Sequence, residues 1–346
     1  MTAKLRGLGE LVAYVPYLLG FVPARSVVVV ATTATGVGPT SRVDVPASAA
    51  DLAAVAMTVA DQMERVPLER VDVIGFDDHE HVSELVALIA DEMGVPAHEV
   101  LVADGRWRLQ RCGCGRCDLG PSRPVPTADR VPAVADQVLR EIEVYADRAA
   151  LAASVCPGHP LVTAAVRAAE PGEVSSARLA AAWAAVVDAG DTAPPVAALP
   201  VEVLSIATRS LLDLPLRDDL MGWLTPDALD LPAADPWLRT ALTRAIGTPS
   251  WRRPDQRGGV EHDVQVVRVT RRLQELVTIT PEDWVTGTGT LLGYWCWVHG
   301  NGALAGVALE RAAEAGPARM AELVLHAMSL GVRPQDLRSS PREIAL

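Results

Sequence analysis

Lysine is almost missing: of 31 basic residues only Lys4 is a lysine, set against 43 acids. The resulting formal charge of −12 disfavours a broad grip on nucleic acid, which needs a clustered positive surface to neutralise phosphates. Arginine in place of lysine, with abundant Ala, Val, Pro and Gly, is the codon signature of a high-GC bacterial source and carries no functional signal. One basic run exists, "PSWRRPDQRGG" (249–259), with Arg252, Arg253 and Arg257 beside Trp251. It reads as a solvated Pro/Gly loop, with a phosphate-binding loop as the alternative.

A long apolar run is also missing. "LVAYVPYLLGFVPA" follows Lys4 and Arg6 as a secretory core would, but Glu10 interrupts its approach and Pro16, Gly20 and Pro23 break the helix it would need. The same breaks exclude a membrane span, which takes about 20 unbroken apolar residues. Five cysteines, an odd number without an export signal, fit a reducing cytoplasm better than a disulfide framework. The familiar catalytic signatures are absent as well: no G-x-S-x-G, no H-E-x-x-H, and no acidic pair at catalytic spacing. The glycines of "TATGVGP" are not a phosphate loop, because no Lys-Ser or Lys-Thr follows and the chain continues into a strand.

What is present is a chain of 346 residues, 49% apolar, enough for about two domains. Short β-branched runs alternate with longer amphipathic ones up to about residue 112. "SVVVVAT" (26–32), "TSRVDVP" (40–46), "RVDVIGF" (70–76) and "HEVLVAD" (98–104) read as strands. "SAADLAAVAMTVADQMERV" (48–66) and "EHVSELVALIADEM" (80–93) read as helices, the first with Ser48 as N-cap and Asp51 closing a capping box. "GRWRLQRC" reads as an edge or hairpin strand with Trp107 and Leu109 on one face. Beyond the Pro-rich passage 120–132 the pattern is helical throughout, starting with a long helix in "PAVADQVLREIEVYADRAALAASV". It ends in a hairpin of two helices with Gly316 as stop and Pro317 at the first helical position of the second arm. The expected architecture is an α/β N-terminal domain (a mixed sheet with flanking helices, 1–125) followed by an all-α C-terminal domain (126–346).

The most specific local signal is "CGCGRCDLG". Cys112, Cys114 and Cys117 give C-x-C-x-x-C, and Cys114-Gly-Arg-Cys117 is a knuckle whose glycine lets backbone amides turn toward the sulfurs. A tetrahedral zinc takes four ligands. "CPGH" offers Cys156 and His159 at a second two-residue gap, so Cys114, Cys117, Cys156 and His159 make a Cys₃His set, with Cys112 as spare or alternative. Three other readings stay open: reduced cysteines in a hairpin, an iron–sulfur cluster, and a redox dithiol. A second candidate is "FDDHEH" at the carboxyl end of the strand 70–76, where open α/β sheets place ligands. There Asp77, Asp78 and His79 (with His81) could serve as acid and base or bind a metal, or Asp78 could simply cap the next helix. Arg42 and Asp44 share a strand face, as an ordinary half-exposed pair or a polar ligand contact. "YWCWVHGNG" (294–302) reads as an aromatic core stripe.

"VPYLLGFVPARSVVVV", "RVDVP", "VADGRWRLQRC" and "GNGALAGVALERA" together resemble, in this order and over nearly the whole chain, the actinobacterial domain-of-unknown-function family 4192. The resemblance implies an actinobacterial, cytosolic protein and brings no activity with it. The cysteine stretch departs from that family's pattern, in which two adjacent cysteines precede a proline. Taken together, these residues suggest a cytoplasmic, non-enzymatic binding or regulatory module with a candidate structural zinc and an unidentified protein or small-molecule partner. The rival is a hydrolase or transferase with its pocket near Asp77. A third reading, a self-assembling structural protein, rests on the very apolar helices around Trp183 and Trp295.

Overall fold

A computed structural model describes residues 4–34, 36–226, 228 and 236–336. Two compact units make up the chain. The first comprises Met1–Val138, Glu143–Arg148 and Ser329–Gly331; the second comprises Leu139–Ile142, Ala149–Met328 and Val332–Leu346.

The first unit is built on one mixed sheet. Its strands are β1 (Ser26–Thr33), β2 (Gly36–Asp44), β3 (Arg70–Phe76), β4 (Ala97–Ala103), β5 (Arg106–Cys112) and the short β6 (Arg123–Pro124), in the spatial order β2-β1-β3-β4-β5-β6. Only β3 and β4 run parallel, joined through a helix; the other pairs are antiparallel. Helices α1 (Leu8–Leu19), α2 (Leu52–Met63) and α3 (Glu80–Glu92) flank the sheet. Alternation sorts the strands: Val27, Val29, Ala31, Val71 and Val73 point to one face and pack on Leu52, Ala56, Leu85 and Ile89 of α2 and α3. Val28, Val30, Ile74 and Val100 point to the other and are also buried. Burial on both faces explains why these strands read as continuous apolar runs rather than alternating ones.

Helix α1 departs from the sequence expectation, because it runs through Pro16 and stops only at Gly20, whose φ of 76° is left-handed. Proline costs a helix interior about 3 kcal/mol. Burial of Leu11, Val12, Val15 and Leu19, at roughly 1.5–3 kcal/mol each, outweighs that cost. The second strand starts earlier than residue 40, where the sequence pattern places it: β2 already begins at Gly36, which pairs with Thr33. A Cβ on Gly38 would lie 2.8 Å from Thr33 Cγ2, so this glycine serves close strand packing rather than a turn. Ser48 caps a single 3-10 turn (Ala49–Asp51) by accepting from the Ala50 amide, and no capping box forms.

The second unit is helical: α6 (Pro160–Ala168), α7 (Ser176–Val186), α8 (Val201–Ser210), α9 (Leu214–Leu224), α10 (Pro236–Ile246), α11 (Val260–Ile279), α12 (Val285–Val298) and α13 (Gly302–Ala315). The expected single helix over 132–155 is instead α4 (Pro132–Leu139) and α5 (Arg148–Ala153). Between them Tyr145 leaves to pair with Gly20 and Val22. Glu141 takes a left-handed φ of 61° while Arg268 and Arg271 grip its carboxylate. Both terminal helices form, α13 and α14 (Arg319–Ser329), but α13 packs on α12 rather than in a close hairpin with α14, and α14 starts two residues after Pro317, which therefore lies in the turn. Glycines 289 and 293 of α12 meet Ala308, Ala312 and Leu309 of α13, and a Cβ on Gly293 would lie 2.4 Å from Leu309 Cγ. The small residues therefore let these two helices pack backbone to backbone. The aromatic stripe is core: Tyr294, Trp295 and Cys296 are buried, and Trp295 stacks edge-on against Trp251.

Candidate metal centre

Strand register assembles the site. Asp72 on β3 is opposite His98 on β4, and His98 is opposite Cys112 on β5, so three polar residues lie in one row across the sheet. Neighbouring strands are about 4.8 Å apart, which brings residues distant in sequence within bonding reach. After Cys112 the chain turns sharply. The Gly113 amide donates to Ala97 O at 2.8 Å and the Gly115 amide to Cys112 O at 3.3 Å, and Gly115 adopts φ 65°. The turn carries Cys114 and Cys117 back over the row.

His98 Nε2, Cys112 Sγ, Cys114 Sγ and Cys117 Sγ all lie within 4.8 Å of one another. The sulfurs of Cys114 and Cys117 are 3.6 Å apart, as are Cys117 Sγ and His98 Nε2. These match the edges of about 3.5–3.8 Å expected of a tetrahedron with zinc–sulfur bonds near 2.3 Å and a zinc–nitrogen bond near 2.0 Å. Cys112 and Cys114 are 3.0 Å apart, shorter than that edge and well beyond a disulfide's ~2.05 Å. Beneath the cluster, buried Asp72 meets His98 Nδ1 through Oδ1 at 2.7 Å. Such a carboxylate fixes the tautomer that leaves Nε2 free to ligate, the arrangement usual behind metal-bound histidines.

The electrostatics have the same origin. The hydrogen bond to Asp72 raises His98 to about 9 against the opposing effect of burial. For Cys112, desolvation pushes upward, but Cys114 and the backbone amides of Cys117 and Arg116 outweigh it and hold the thiol at about 5. Cys117, crowded first by Cys112, is pushed up to about 12. Donors this close compete for protons, and a dication relieves that competition by replacing them.

The structure brings Cys112, Cys114 and Cys117 together with His98, a fourth donor that the spacing of the sequence does not single out. Cys156 and His159 belong to the second unit, exposed and just ahead of α6. The four-atom cluster is complete without them. A signal for His98 did exist: polar residues inside otherwise apolar runs, Asp72 in "RVDVIGF" and His98 in "HEVLVAD", are the informative departures from a buried strand.

Asp77, Asp78 and His79 do follow β3 at its carboxyl end, but they do not converge. Asp77, at φ 133°, accepts the Asp78 and His79 amides through Oδ1 at 2.7 and 3.3 Å. His79, rather than Asp78, caps α3, its Nδ1 accepting from the His81 amide. Asp77 and Asp78 line a cleft of about 520 Å³, whereas His79 and His81 line a separate cavity of about 170 Å³. Arg42 and Asp44 form an ion pair with Arg42 over the Phe21 ring. In the basic loop Arg252 stacks on Trp223 and donates to its carbonyl, and Arg253 donates to Thr248 O.

Among the described residues no helix is long and apolar enough to cross a membrane. No curated protein and no solved structure matches the chain. The model of the family described as "Domain of unknown function (DUF4192)" matches residues 9–335, nearly the whole chain, and the protein belongs to that family.

Proposed function

We propose that the N-terminal domain is a non-enzymatic binding or regulatory module of a reducing cytoplasm, in which His98, Cys112, Cys114 and Cys117 hold one structural zinc. The observation that carries this is the donor set itself: three sulfurs and one carboxylate-backed imidazole within 4.8 Å. Four protein ligands fill a tetrahedron and leave no open position for water or substrate, the mark of a structural rather than a catalytic zinc. The exposed loop from Gly113 to Ser122 buries almost nothing of its own, so the metal would supply the order that a core does not. The rival, a hydrolase or transferase near Asp77, draws less support, because the carboxylate of Asp77 already accepts two backbone amides and the nearby histidines face another cavity.

The test is elemental mass spectrometry of untagged protein and of a Cys114→Ser, Cys117→Ser double variant. Near-stoichiometric zinc that is lost in the variant is the expected result. Absence of zinc, or zinc that survives both substitutions, would overturn the assignment.

A further inference from the structure

The sheet face opposite α2 and α3 is not filled by side chains along its whole length. Between it and α1 lies a cavity of about 1010 Å³, at the upper end of the volumes that hold small organic ligands. Its floor is the second set of alternating strand residues, with Val30, Asp72 and His98 in one row and Thr32 and Arg70 in the next. Leu8 and Leu11 of α1 and Leu109 of β5 give it apolar walls.

Its polar groups are unbalanced. The acceptors are spent: Asp72 is engaged by His98 and Arg70, and Asp118 by Arg123. The donors are not. Arg70 Nε is shut off from solvent without an acceptor. Lys4 and the Trp107 indole line the same cavity, and neither side chain has a hydrogen-bond partner among the described residues. Arg70 Nε itself is closed to a guest, but the partly exposed guanidinium that carries it lines the cavity, and Lys4, Arg70 and Arg123 against Asp72 and Asp118 leave the lining cationic. The site therefore favours a guest that brings anionic acceptors, and the leucines favour one that also brings apolar surface.

We propose that this cavity binds a small organic acid, its anionic group accepting from Arg70 and Trp107 with Lys4 at the rim, and its apolar body against Leu8, Leu11 and Leu109. This deepens the reading of the domain as a binding module; the cavity adjoins the proposed zinc, since His98 and Cys117 also line it, but none of the groups offered to the acid is a zinc ligand.

The test is calorimetric titration of the full chain with decanoate, indole-3-acetate, the neutral indole-3-acetamide and inorganic phosphate. At least one organic acid should bind. The neutral amide should bind at least about tenfold more weakly than its acid, and Arg70→Gln should weaken the acid by about tenfold or more. Leu8→Trp, which narrows the cavity at its α1 wall, should weaken binding. Three results would each overturn the proposal: no acid binding at about 1 mM, equal affinity in Arg70→Gln, or phosphate binding as tightly as the acids. Zinc measured on the same samples separates the two readings: zinc present without acid binding removes the cavity proposal alone, and acid binding without zinc removes the metal alone.

Discussion

Replacing Asp72 by Asn tests the metal centre at the residue that touches no metal. Asp72 is 1% exposed and its Oδ1 meets His98 Nδ1 at 2.7 Å. As a carboxylate it only accepts, so Nδ1 keeps its proton, and it is the Nε2 proton that a metal would displace to gain the lone pair facing the three sulfurs. An asparagine of the same shape can present either its oxygen or its NH₂. In the first case the tautomer survives with a neutral acceptor; in the second Nδ1 must accept, Nε2 carries the proton, and the ligand is lost.

Partners of this kind are worth about 10–100-fold in metal affinity, or about 1.4–2.7 kcal/mol. The expected outcome for Asp72→Asn is therefore one zinc bound at saturation, with a dissociation constant raised by about that factor in competition with a chromophoric chelator. His98→Ala should lower the stoichiometry or the affinity further, because it removes the ligand. Asp91→Asn, which breaks only an exposed pair with Arg111, is the control. A zinc affinity in Asp72→Asn within about twofold of the native value would refute the claim that the carboxylate sets the tautomer.

Other perturbations check other parts of the chain. Gly113→Ala places a Cβ 2.6 Å from both Ala97 N and Ala97 O; backbone cannot yield there, so about 1–3 kcal/mol of stability and part of the zinc affinity should be lost, read by thermal melting and the same chelator assay. Cys156→Ser with His159→Asn should leave zinc content unchanged, since the proposed set is complete within the first unit; a loss of metal would return these residues to the site. Arg272→Met removes the donor to three carbonyls, Val186, Pro194 and Ala185, each at 2.7 Å, and should lower the urea midpoint by the equivalent of about 3 kcal/mol or more. Burial first, then Arg257 and His262, push His299 down to about 3. The unfolded histidine takes its proton near pH 6.5 and the folded one does not until about pH 3, so stability should fall as pH drops through that window, by at most about 1.4 kcal/mol per unit. Urea titrations at pH 7 and 5.5 should show that loss in the native chain and a smaller one in His299→Phe; an equal loss in both would refute the assignment.

The legible parts of the fold are those whose signal is local. β1, β3 and β4 are short β-branched runs between turn residues, and α2, α3, α7 and α13 carry apolar positions at helical spacing. The errors fell where a distant contact overrides that spacing. The segment after α4 carries a helical pattern, yet Tyr145 hydrogen-bonds Gly20 and Val22, and one strand-like bridge is enough to end the helix. Pro16 reads as a breaker, but four buried side chains hold α1 together through it. In α9 Arg217 and Asp219 are buried, so the charges of this helix do not mark a solvent face.

The candidate site divides along the same line. Cys114-Gly-Arg-Cys117 is a local motif and is visible as spacing, but spacing alone cannot rank it against Cys156-Pro-Gly-His159, which has the same two-residue gap and lies in the other unit. What separates them is lateral. Asp72, His98 and Cys112 are adjacent only because β3, β4 and β5 pair in one register, and a slip of one residue would turn each to the opposite face. That register is held by the apolar residues around them, Val71 and Val73 toward α2 and α3, Ile74 and Val100 toward the other side. The candidate metal site therefore depends on core packing as much as on its own four donor residues. Asp72 and His98 are polar residues in strands that are otherwise buried and apolar, and only their lateral adjacency to Cys112 across β3, β4 and β5 marks His98 as a partner of the cysteines.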